Sequence, residues 1–396
     1  MGKNFSAQDF SSFDMQNFGV QARELLSGKT VAIIGVGLIG GSIGAALRQD
    51  GSVRKVLGFD LSKEVIDLAR EMGVIDAGEV GLSKALQDAD LVIVSVPVAK
   101  IPEVVAMALP FLADGCVITD TGSTKAGILK KMEEILPGRL IFIGGHPMAG
   151  GEQAGVAAAD PYLMQNAVYV LTPPEGREED YRIRRGLEMA SALVEVLGAH
   201  RYIISAEEHD RIVAAVSHLP HLAAVALVSA VGRLAERDER FLAFAAGGFR
   251  DTTRVASSNS LIWKDICTSN RGPLLEMIRL LQAELGELAA TLEAGNAGKL
   301  GDHLERARQV RATIPAKRKG ILSPMREIVI QVQDRPGAIS EVASLLAAER
   351  INIRDIEILR VREREGGSLL LAFEGEEPLE KAVSLLRTHG FTVRRR

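Results

Sequence analysis

The stretch TVAIIGVGLIGGS at residues 30–42 decides the fold of the N-terminal half of this 396-residue chain. It begins with a continuous apolar run, which is typical of a strand covered on both faces of a parallel sheet. Gly35, Gly37 and Gly40 then form the pattern G-x-G-x-x-G, and a helical pattern continues to residue 48. A glycine-rich turn between a strand and a helix predicts a dinucleotide-binding site.

Each part of this motif has a physical role. Gly35 permits the tight turn, Gly37 lets the backbone approach a pyrophosphate, and Gly40 allows the helix to pack closely on the strand. The start of the helix, at Leu38 and Ile39, offers unpaired N–H groups and a partial positive charge to the phosphates.

An acidic residue, Asp60, ends the next predicted strand. Its carboxylate can accept hydrogen bonds from the adenosine ribose hydroxyls, and its charge would repel a 2′-phosphate. NAD is therefore favoured over NADP, although nearby Lys63 weakens this preference slightly. Because ligands bind at the carboxyl ends of strands in such sheets, we expect further cofactor contacts at Ser95, Val96, Pro97 and Thr121.

The first half repeats the alternation of apolar runs and helical patterns. Strands are predicted at residues 30–35, 56–60, 91–96, 117–120, 140–144 and 167–171. This βαβ rhythm predicts an open, doubly wound parallel sheet of the Rossmann type.

The pattern changes after residue 206. Residues 207–234, 272–294 and 300–314 have helical periodicity with no strand pattern between them, which predicts an all-α domain. The first of these helices is too apolar to face water on all sides, so we expect it to pack in a bundle or against another subunit. Beyond residue 325 the order of elements is βαββαβ, which predicts a ferredoxin-like domain.

These changes divide the chain into five segments. An N-terminal extension (1–28) precedes the dinucleotide-binding domain (29–199) and the helical substrate and dimerisation domain (200–314). A basic segment with flanking prolines (315–324) is interpreted as a linker. The ferredoxin-like domain occupies residues 325–396.

Composition excludes several classes of protein. A net charge of −4 gives no reason to expect nucleic acid as a partner. The two cysteines, Cys116 and Cys267, lie too far apart for a metal motif. We find no apolar run of membrane-spanning length and no signal-peptide pattern. We therefore expect no membrane partner and a cytoplasmic location.

A single histidine, His146, lies in the sequence GGHPMAG directly after a predicted strand. A histidine in a flexible glycine-rich turn at the carboxyl end of a strand is well placed to act as a general base. We therefore predict that His146 removes a proton from a substrate beside the dinucleotide.

Five longer motifs together resemble the prephenate dehydrogenase family. They are GVGLIGGS (35–42), DTGSTK (120–125), GGHPMAGGE (144–152), HDRIVAAVSHLPH (209–221) and GGFRDTTRVASSNSLIW (247–263). The resemblance extends from about residue 29 to residue 314. The C-terminal domain, with DRPG at 334–337 and INI at 351–353, resembles an ACT regulatory domain.

The resemblance implies NAD-dependent oxidative decarboxylation of prephenate to 4-hydroxyphenylpyruvate in L-tyrosine biosynthesis. It implies that His146 accepts the proton of the ring hydroxyl and that Ser123 hydrogen-bonds this hydroxyl and holds His146 in line. Since the imidazole must be neutral, activity should fall when the pH drops below the pKa of His146.

The substrate carries two carboxylates, so the site needs cationic or donor groups. The resemblance assigns Arg254 to a carboxylate, which a guanidinium can bind with two parallel hydrogen bonds. Substrate-site roles are expected for His221 and for His218, with a structural role for His218 still open, and Glu152 matches a family position that orders the site or gates access. His218 and His221 have a spacing that suits a metal, but no third ligand is evident and the reaction requires none. His209 is interpreted as structural.

The ACT resemblance implies an amino-acid sensor, with L-tyrosine as the expected effector. The residues expected to contact it are Asp334, Gly337, Asn352 and Ile353. A dimerising domain that binds no ligand remains open, and a homodimer through the helical domain is expected.

Three other functions remain open. An arogenate dehydrogenase performs the same chemistry on an aminated side chain and produces tyrosine directly. A β-hydroxyacid-type dehydrogenase would use a lysine of the helical domain rather than His146. A non-catalytic sensor of NAD or of an amino acid would bind these ligands without turnover.

Overall fold

The computed structural model describes residues 15–151, 153–177, 179–314, 325–333, 335–362 and 366–395. The chain divides into two units, Met1–Gly320 and Ile321–Arg396. This division falls inside the segment predicted to be a linker, which itself lies outside the described residues.

An eight-stranded sheet with the order β3-β2-β1-β4-β5-β6-β7-β8 organises the first unit. Its strands are β1 (Thr30–Ile34), β2 (Lys55–Asp60), β3 (Ala77–Val80), β4 (Leu91–Val94), β5 (Val117–Asp120), β6 (Ile141–Pro147), β7 (Val168–Thr172) and β8 (His200–Ile203). The first six strands are parallel, which confirms the doubly wound fold. The final pair departs from the prediction, because β7 is antiparallel to β6 and parallel to β8.

Helices cover both faces of this sheet. They are α1 (Met15–Leu26), α2 (Leu38–Asp50), α3 (Lys63–Glu71), α4 (Ile101–Ala108), α5 (Ala126–Ile135) and α6 (Tyr181–Val196). Along β1, Val31 and Ile33 belong to one hydrophobic cluster, whereas Ala32 and Ile34 belong to another. Alternate side chains of a strand point to opposite faces, so both faces of the sheet are buried.

The N-terminal extension includes α1, which packs on α6. Its residues Ala22 and Leu26 are fully buried in the same cluster as Val31. Arg23 and Asp50 form an ion pair with a distance of 2.8 Å that joins α1 to α2. The described part of the extension is therefore integral to the core of the first unit.

Residues 206–314 are helical, and the part that the structure describes there contains no strand. The helices are α7 (Ala206–Val213), α8 (Leu219–Ala235), α9 (Arg240–Ala243), α10 (Gly247–Thr253), α11 (Ser260–Ser269), α12 (Arg271–Glu293) and α13 (Ala297–Thr313). One turn of π-helix, Ala214–His218, joins α7 to α8. Such turns are frequent at functional sites.

Contrary to the prediction that no apolar run reaches membrane-spanning length, the continuous helix Ala206–Ala235 is long and apolar enough to cross a membrane by length and composition. It is the one helix of this kind in the described ranges, and core helices of soluble proteins meet the same criterion. Several of its apolar side chains are exposed on α8, among them Val225, Leu227, Val228 and Leu234.

The second unit has a four-stranded antiparallel sheet with the order β10-β11-β9-β12. In chain order its elements are β9 (Met325–Val332), α14 (Ala338–Ala348), β10 (Asp355–Arg362), β11 (Gly366–Glu374), α15 (Glu376–Thr388) and β12 (Val393–Arg395). This order confirms the predicted ferredoxin-like βαββαβ fold.

Candidate active site

The glycine motif connects β1 to α2 as the sequence predicts. Gly35 has a φ of +91°, and a Cβ atom there would lie 2.4 Å from the carbonyl oxygen of Ser95. A Cβ atom on Gly40 would lie 2.2 Å from the carbonyl oxygen of Gly35. At Gly37, by contrast, a Cβ atom would meet no described heavy atom within 4 Å. Gly35 and Gly40 are thus required by packing, whereas Gly37 faces open space suited to a phosphate.

The Asp60 carboxylate is oriented by two backbone groups at the end of β2. Its oxygens accept hydrogen bonds from the N–H of Val36 at 2.9 Å and from the N–H of Ser62 at 3.1 Å. Thr121 and Ser95, predicted as cofactor contacts, meet through a 3.0 Å hydroxyl–hydroxyl hydrogen bond. The ends of β2, β4 and β5 therefore share the edge that carries the glycine motif.

His146 lies within β6 and not in a flexible turn, so that part of the prediction is wrong. It pairs with Val170 on β7 and is buried. A Cβ atom on Gly144 would lie 2.2 Å from Thr172 Oγ1, and one on Gly145 would lie 2.5 Å from the carbonyl oxygen of Asp120. These two glycines permit close packing of neighbouring strands, which fixes the backbone of His146 rather than loosening it.

A buried chain of hydrogen bonds runs from His146 into α7. The Nδ1 atom of His146 lies 2.8 Å from Nε2 of His209, and Nδ1 of His209 lies 2.8 Å from Oδ1 of Asp210. The Asp210 carboxylate also accepts the N–H groups of Lys125 at 2.7 Å and Ala126 at 2.9 Å. Asp210 is thus held at the start of α5, where backbone N–H groups favour a negative charge.

This chain of contacts determines the tautomers, which we assign from the hydrogen bonds. An ionised Asp210 accepts only, so His209 must carry its proton on Nδ1 and leave Nε2 unprotonated. His146 must then donate from its own Nδ1, so its Nε2 is unprotonated. The geometry therefore leaves Nε2 as the basic nitrogen of His146.

The environment also keeps His146 neutral. Burial, followed by the electrostatic interactions with His209, Lys125 and His218, lowers the pKa of His146 well below the usual value of 6.5. A base must be unprotonated, so we expect kcat/KM to be constant above this lowered pKa and to decrease only in acid well below pH 6.5. A pH profile of kcat/KM checks this, and a decrease centred above the usual value would contradict it.

Two further histidines lie on the same helical segment. His218 Nδ1 accepts from the amide of Asn270 at 3.1 Å, and this amide also donates to the carbonyl of Asp210 at 2.7 Å. His221 stacks on Trp263 with ring centroids 3.5 Å apart. Burial lowers the pKa of His218 to about 4 and also lowers the pKa of His221.

The remaining predicted substrate residues have different surroundings. Arg254 begins a short 3₁₀ turn that packs on α8, and the backbone of the next residue, Val255, lies against His221. Ser123 is half-buried between β5 and α5, and within the described ranges no hydrogen bond joins it to His146. Glu152 lies outside the described residues. Among those described, no group of three or more His, Cys, Asp or Glu residues is arranged to hold a metal ion.

The predicted effector residues belong to the second unit. Gly337 has a φ of +89° and precedes α14, where its carbonyl accepts the N–H of Glu341. Asn352 is exposed and Ile353 is half-buried ahead of β10. Asp334 lies outside the described residues.

Comparison with known families matches three consecutive regions of the chain. Residues 43–203 match the model of the prephenate dehydrogenase nucleotide-binding domain, and residues 205–306 match that of the prephenate dehydrogenase dimerization domain. Residues 326–390 match the ACT domain.

Two curated relatives match over most of the chain. The prephenate dehydrogenase of Bacillus subtilis is 34% identical over 354 residues, which cover 89% of this chain and 94% of that protein. The prephenate dehydrogenase of Lactococcus lactis is 35% identical over 369 residues, which cover 92% and 99%. This chain belongs to the prephenate dehydrogenase family.

Solved structures agree with this membership of the prephenate dehydrogenase family. The Aquifex aeolicus prephenate dehydrogenase, solved with hydroxyphenyl propionate and NAD+, has a TM-score of 0.68 and 31% identity, covering 73% of this chain and 99% of that one. The Synechocystis arogenate dehydrogenase has a TM-score of 0.63 and 29% identity, covering 72% and 100%. The family predicted from the motifs is therefore confirmed.

Within this prephenate dehydrogenase fold, sequence reasoning missed the contact between His146 and His209. The two residues are 63 positions apart, and His209 has no glycine-rich or strand-end context. The available signal was its neighbour Asp210, since a His-Asp pair at a helix start offers an acceptor that can orient an imidazole. The buried position of Lys125 was also missed.

Proposed function

We propose that the chain catalyses the oxidative decarboxylation of prephenate to 4-hydroxyphenylpyruvate, with NAD+ as the hydride acceptor. The observation that carries this function is the buried His146–His209–Asp210 chain on the same sheet edge as the glycine motif. Production of NADH from prephenate tests it. NAD+ binding without turnover of any cyclohexadienyl substrate would instead favour a non-catalytic sensor.

The chain's own residues account for the proton in this reaction. When bound, NAD+ supplies the nicotinamide carbon that takes up the hydride from the ring carbon bearing the hydroxyl. The Nε2 atom of His146 accepts the hydroxyl proton, and the Ser123 side chain hydrogen-bonds to the same hydroxyl. The electron pair left when the ring carboxylate departs as CO2 completes the aromatic ring. His146 then returns its proton to the ring oxygen of the product.

Desolvation of His146 supports its role as the base. In this buried site the carboxylate orients the neutral imidazole through a second imidazole. The surrounding groups therefore need little rearrangement, which costs little free energy, when the imidazole becomes charged. The imidazolium that forms is stabilised through His209 by the charge of Asp210. His209 and Asp210 are therefore positioning residues rather than groups that contact the substrate.

Arg254 is proposed to bind a substrate carboxylate next to His221 and Trp263. Its turn packs on α8 beside His221, whose stacked ring forms an apolar wall suited to a cyclohexadienyl ring. Arg254 is exposed on this turn, and a guanidinium can supply two parallel hydrogen bonds to one carboxylate. Glu152, although outside the described residues, is retained as a substrate-site proposal on the resemblance alone.

Arg254→Ala should mainly raise the KM for prephenate, because binding to a carboxylate is lost in both the ground state and the transition state. Steady-state kinetics at saturating NAD+ check this, with Arg250→Ala as the matched control from the preceding turn. A KM within about twofold of wild type would argue against carboxylate binding by Arg254.

A homodimer through the helical domain is proposed on the apolar side chains that α8 exposes. Exposed apolar surface of this extent marks an interaction site, and the matching family region is described as a dimerization domain. We also propose a cytoplasmic location, where NAD+ is available to biosynthetic dehydrogenases.

Feedback control through the second unit is proposed, with L-tyrosine as the effector. The support is the ACT match, the turn at Gly337 and the connecting segment at Asn352, whose backbone groups suit an amino acid's charged ends. Tyrosine titration of the full chain and of a chain truncated after residue 324 tests it. We expect inhibition of the full chain and weaker inhibition of the truncated one. Equal inhibition of both would assign control to another part of the chain.

A further inference from the structure

A lysine and an aspartate form a fully buried ion pair beside Gly145, the residue that precedes His146. The side chains of Lys125 and Asp120 have 0% exposure, and the Lys125 ammonium donates to Asp120 Oδ2. A buried ion pair contributes little net stability compared with apolar side chains of the same volume, because both charges lose their hydration. Stability alone therefore does not account for this pair.

The pair binds the backbone at the point where two strands separate. The ladder between β5 and β6 ends at Thr119 and Ile143. Beyond it, Asp120 Oδ1 accepts the N–H of Gly145 at 3.0 Å, and the Lys125 ammonium donates to the carbonyl of Gly145 at 2.7 Å. Two charged side chains thus take the place of the next backbone hydrogen bonds between β5 and β6.

The same pair also binds the turn that carries Ser123. Asp120 Oδ2 accepts the N–H of Gly122 at 2.8 Å. Gly122 directly precedes Ser123, and Gly145 directly precedes His146. One ion pair therefore fixes the backbone next to both proposed catalytic residues.

We propose that Lys125 and Asp120 are positioning residues for the reaction, and that their ion pair sets the place of the His146 imidazole relative to the Ser123 hydroxyl. This inference rests on the proposed function. It assigns the lysine of the DTGSTK motif a role in the geometry of proton removal rather than in binding a ligand.

The pair also acts on His146 through charge. The described titratable groups around His146 are Asp120 on β5, Lys125 ahead of α5, His209 and Asp210 on α7, and His218 on the π turn. The Lys125 charge is among the causes that lower the pKa of His146. Removing that charge while leaving the other groups in place should therefore raise the pKa.

Three variants of the full chain separate geometry from charge: Lys125→Met, Asp120→Asn, and the two combined. We expect each to reduce kcat by about 10²-fold, because misplacement of a reacting group by about 1 Å has an effect of that size. The KM for NAD+ should stay within about threefold, since the glycine motif is untouched. Lys131→Met, which removes an exposed ion pair from α5, is the matched control.

The pH profile of kcat/KM distinguishes positioning from a general loss of structure. In Lys125→Met the acidic decrease should move to higher pH, whereas in Asp120→Asn, which retains the cation, it should not. If Lys125→Met fails to fold, the combined variant tests whether loss of the ion pair lowers kcat, because it leaves no unpaired buried charge.

A folded Lys125→Met or combined variant with kcat within about threefold of wild type would overturn the proposal. The wild-type assay keeps the two proposals distinct. No NADH from prephenate with wild type would refute the function. Turnover by wild type together with unimpaired variants would refute only the positioning role.

Discussion

His146→Asn is expected to lower kcat by about 10²-fold or more, which is typical for the loss of a general base. The asparagine has no group that can accept the hydroxyl proton, so hydride would have to leave from a protonated alcohol. Its amide can still donate to Nε2 of His209, which keeps the buried neighbour partnered. The affinity for NAD+ should therefore remain nearly unchanged.

Pre-steady-state and steady-state kinetics with prephenate, together with NAD+ titration, measure both quantities. His389→Asn is the control, because that exposed histidine belongs to the second unit, where its ring hydrogen-bonds to the carbonyl of Leu385 on its own helix. Wild-type kcat in His146→Asn would remove His146 from the mechanism.

Asp210→Asn is expected to lower kcat by a comparable or larger factor, although two histidines, His146 and His209, separate Asp210 from the substrate in the hydrogen-bond chain. The asparagine amide can donate to Nδ1 of His209, which forces the proton of His209 onto Nε2. That atom then donates to Nδ1 of His146, so the His146 proton moves to Nε2 and the basic nitrogen is occupied. The corresponding substitution in a serine protease triad lowers kcat by about 10⁴-fold, so we expect a decrease of about 10²–10⁴-fold here.

Asp210→Asn should still fold with reduced stability, because the amide oxygen keeps the N–H of Ala126, whereas the amide nitrogen that faces His209 also faces the N–H of Lys125, which shares Oδ1 with His209. Thermal unfolding checks this, and the exposed neighbour Glu208 provides Glu208→Gln as the control on the same helix. If Asp210→Asn folds and keeps kcat within about threefold, the assigned tautomers are wrong.

Periodicity predicted most of the architecture because the strands of a covered parallel sheet are continuous apolar runs. It missed β3 and β8, whose sequences AGEV and HRYI are short and partly exposed and therefore carry no such run. The direction of β7 was also missed. The pattern of a strand does not reveal its polarity, which here depends on the long connection between Pro147 and Val168.

Local motifs predicted the site only in part. The glycine motif and Asp60 are close in sequence and share one βαβ unit, so their meeting could be predicted. The contact of His209 with His146 could not, because it depends on the packing of α7 against a strand end 63 residues away in sequence. The contact of Lys125 with Gly145 likewise joins two strand ends across 20 residues. Glycine-rich sequence before His146 indicated flexibility, whereas the close approach of Thr172 and Asp120 shows that these glycines are needed for packing.

The central claim is that this site oxidises prephenate, and the nearest alternative substrate is arogenate, since an arogenate dehydrogenase shares the fold. The most direct measurement is the steady-state production of NADH from each substrate by the same preparation of the full chain. We expect a clearly higher kcat/KM with prephenate than with arogenate, and we expect His146→Asn to abolish most of that activity. A large preference for arogenate, or no NADH from either substrate, would contradict the central claim.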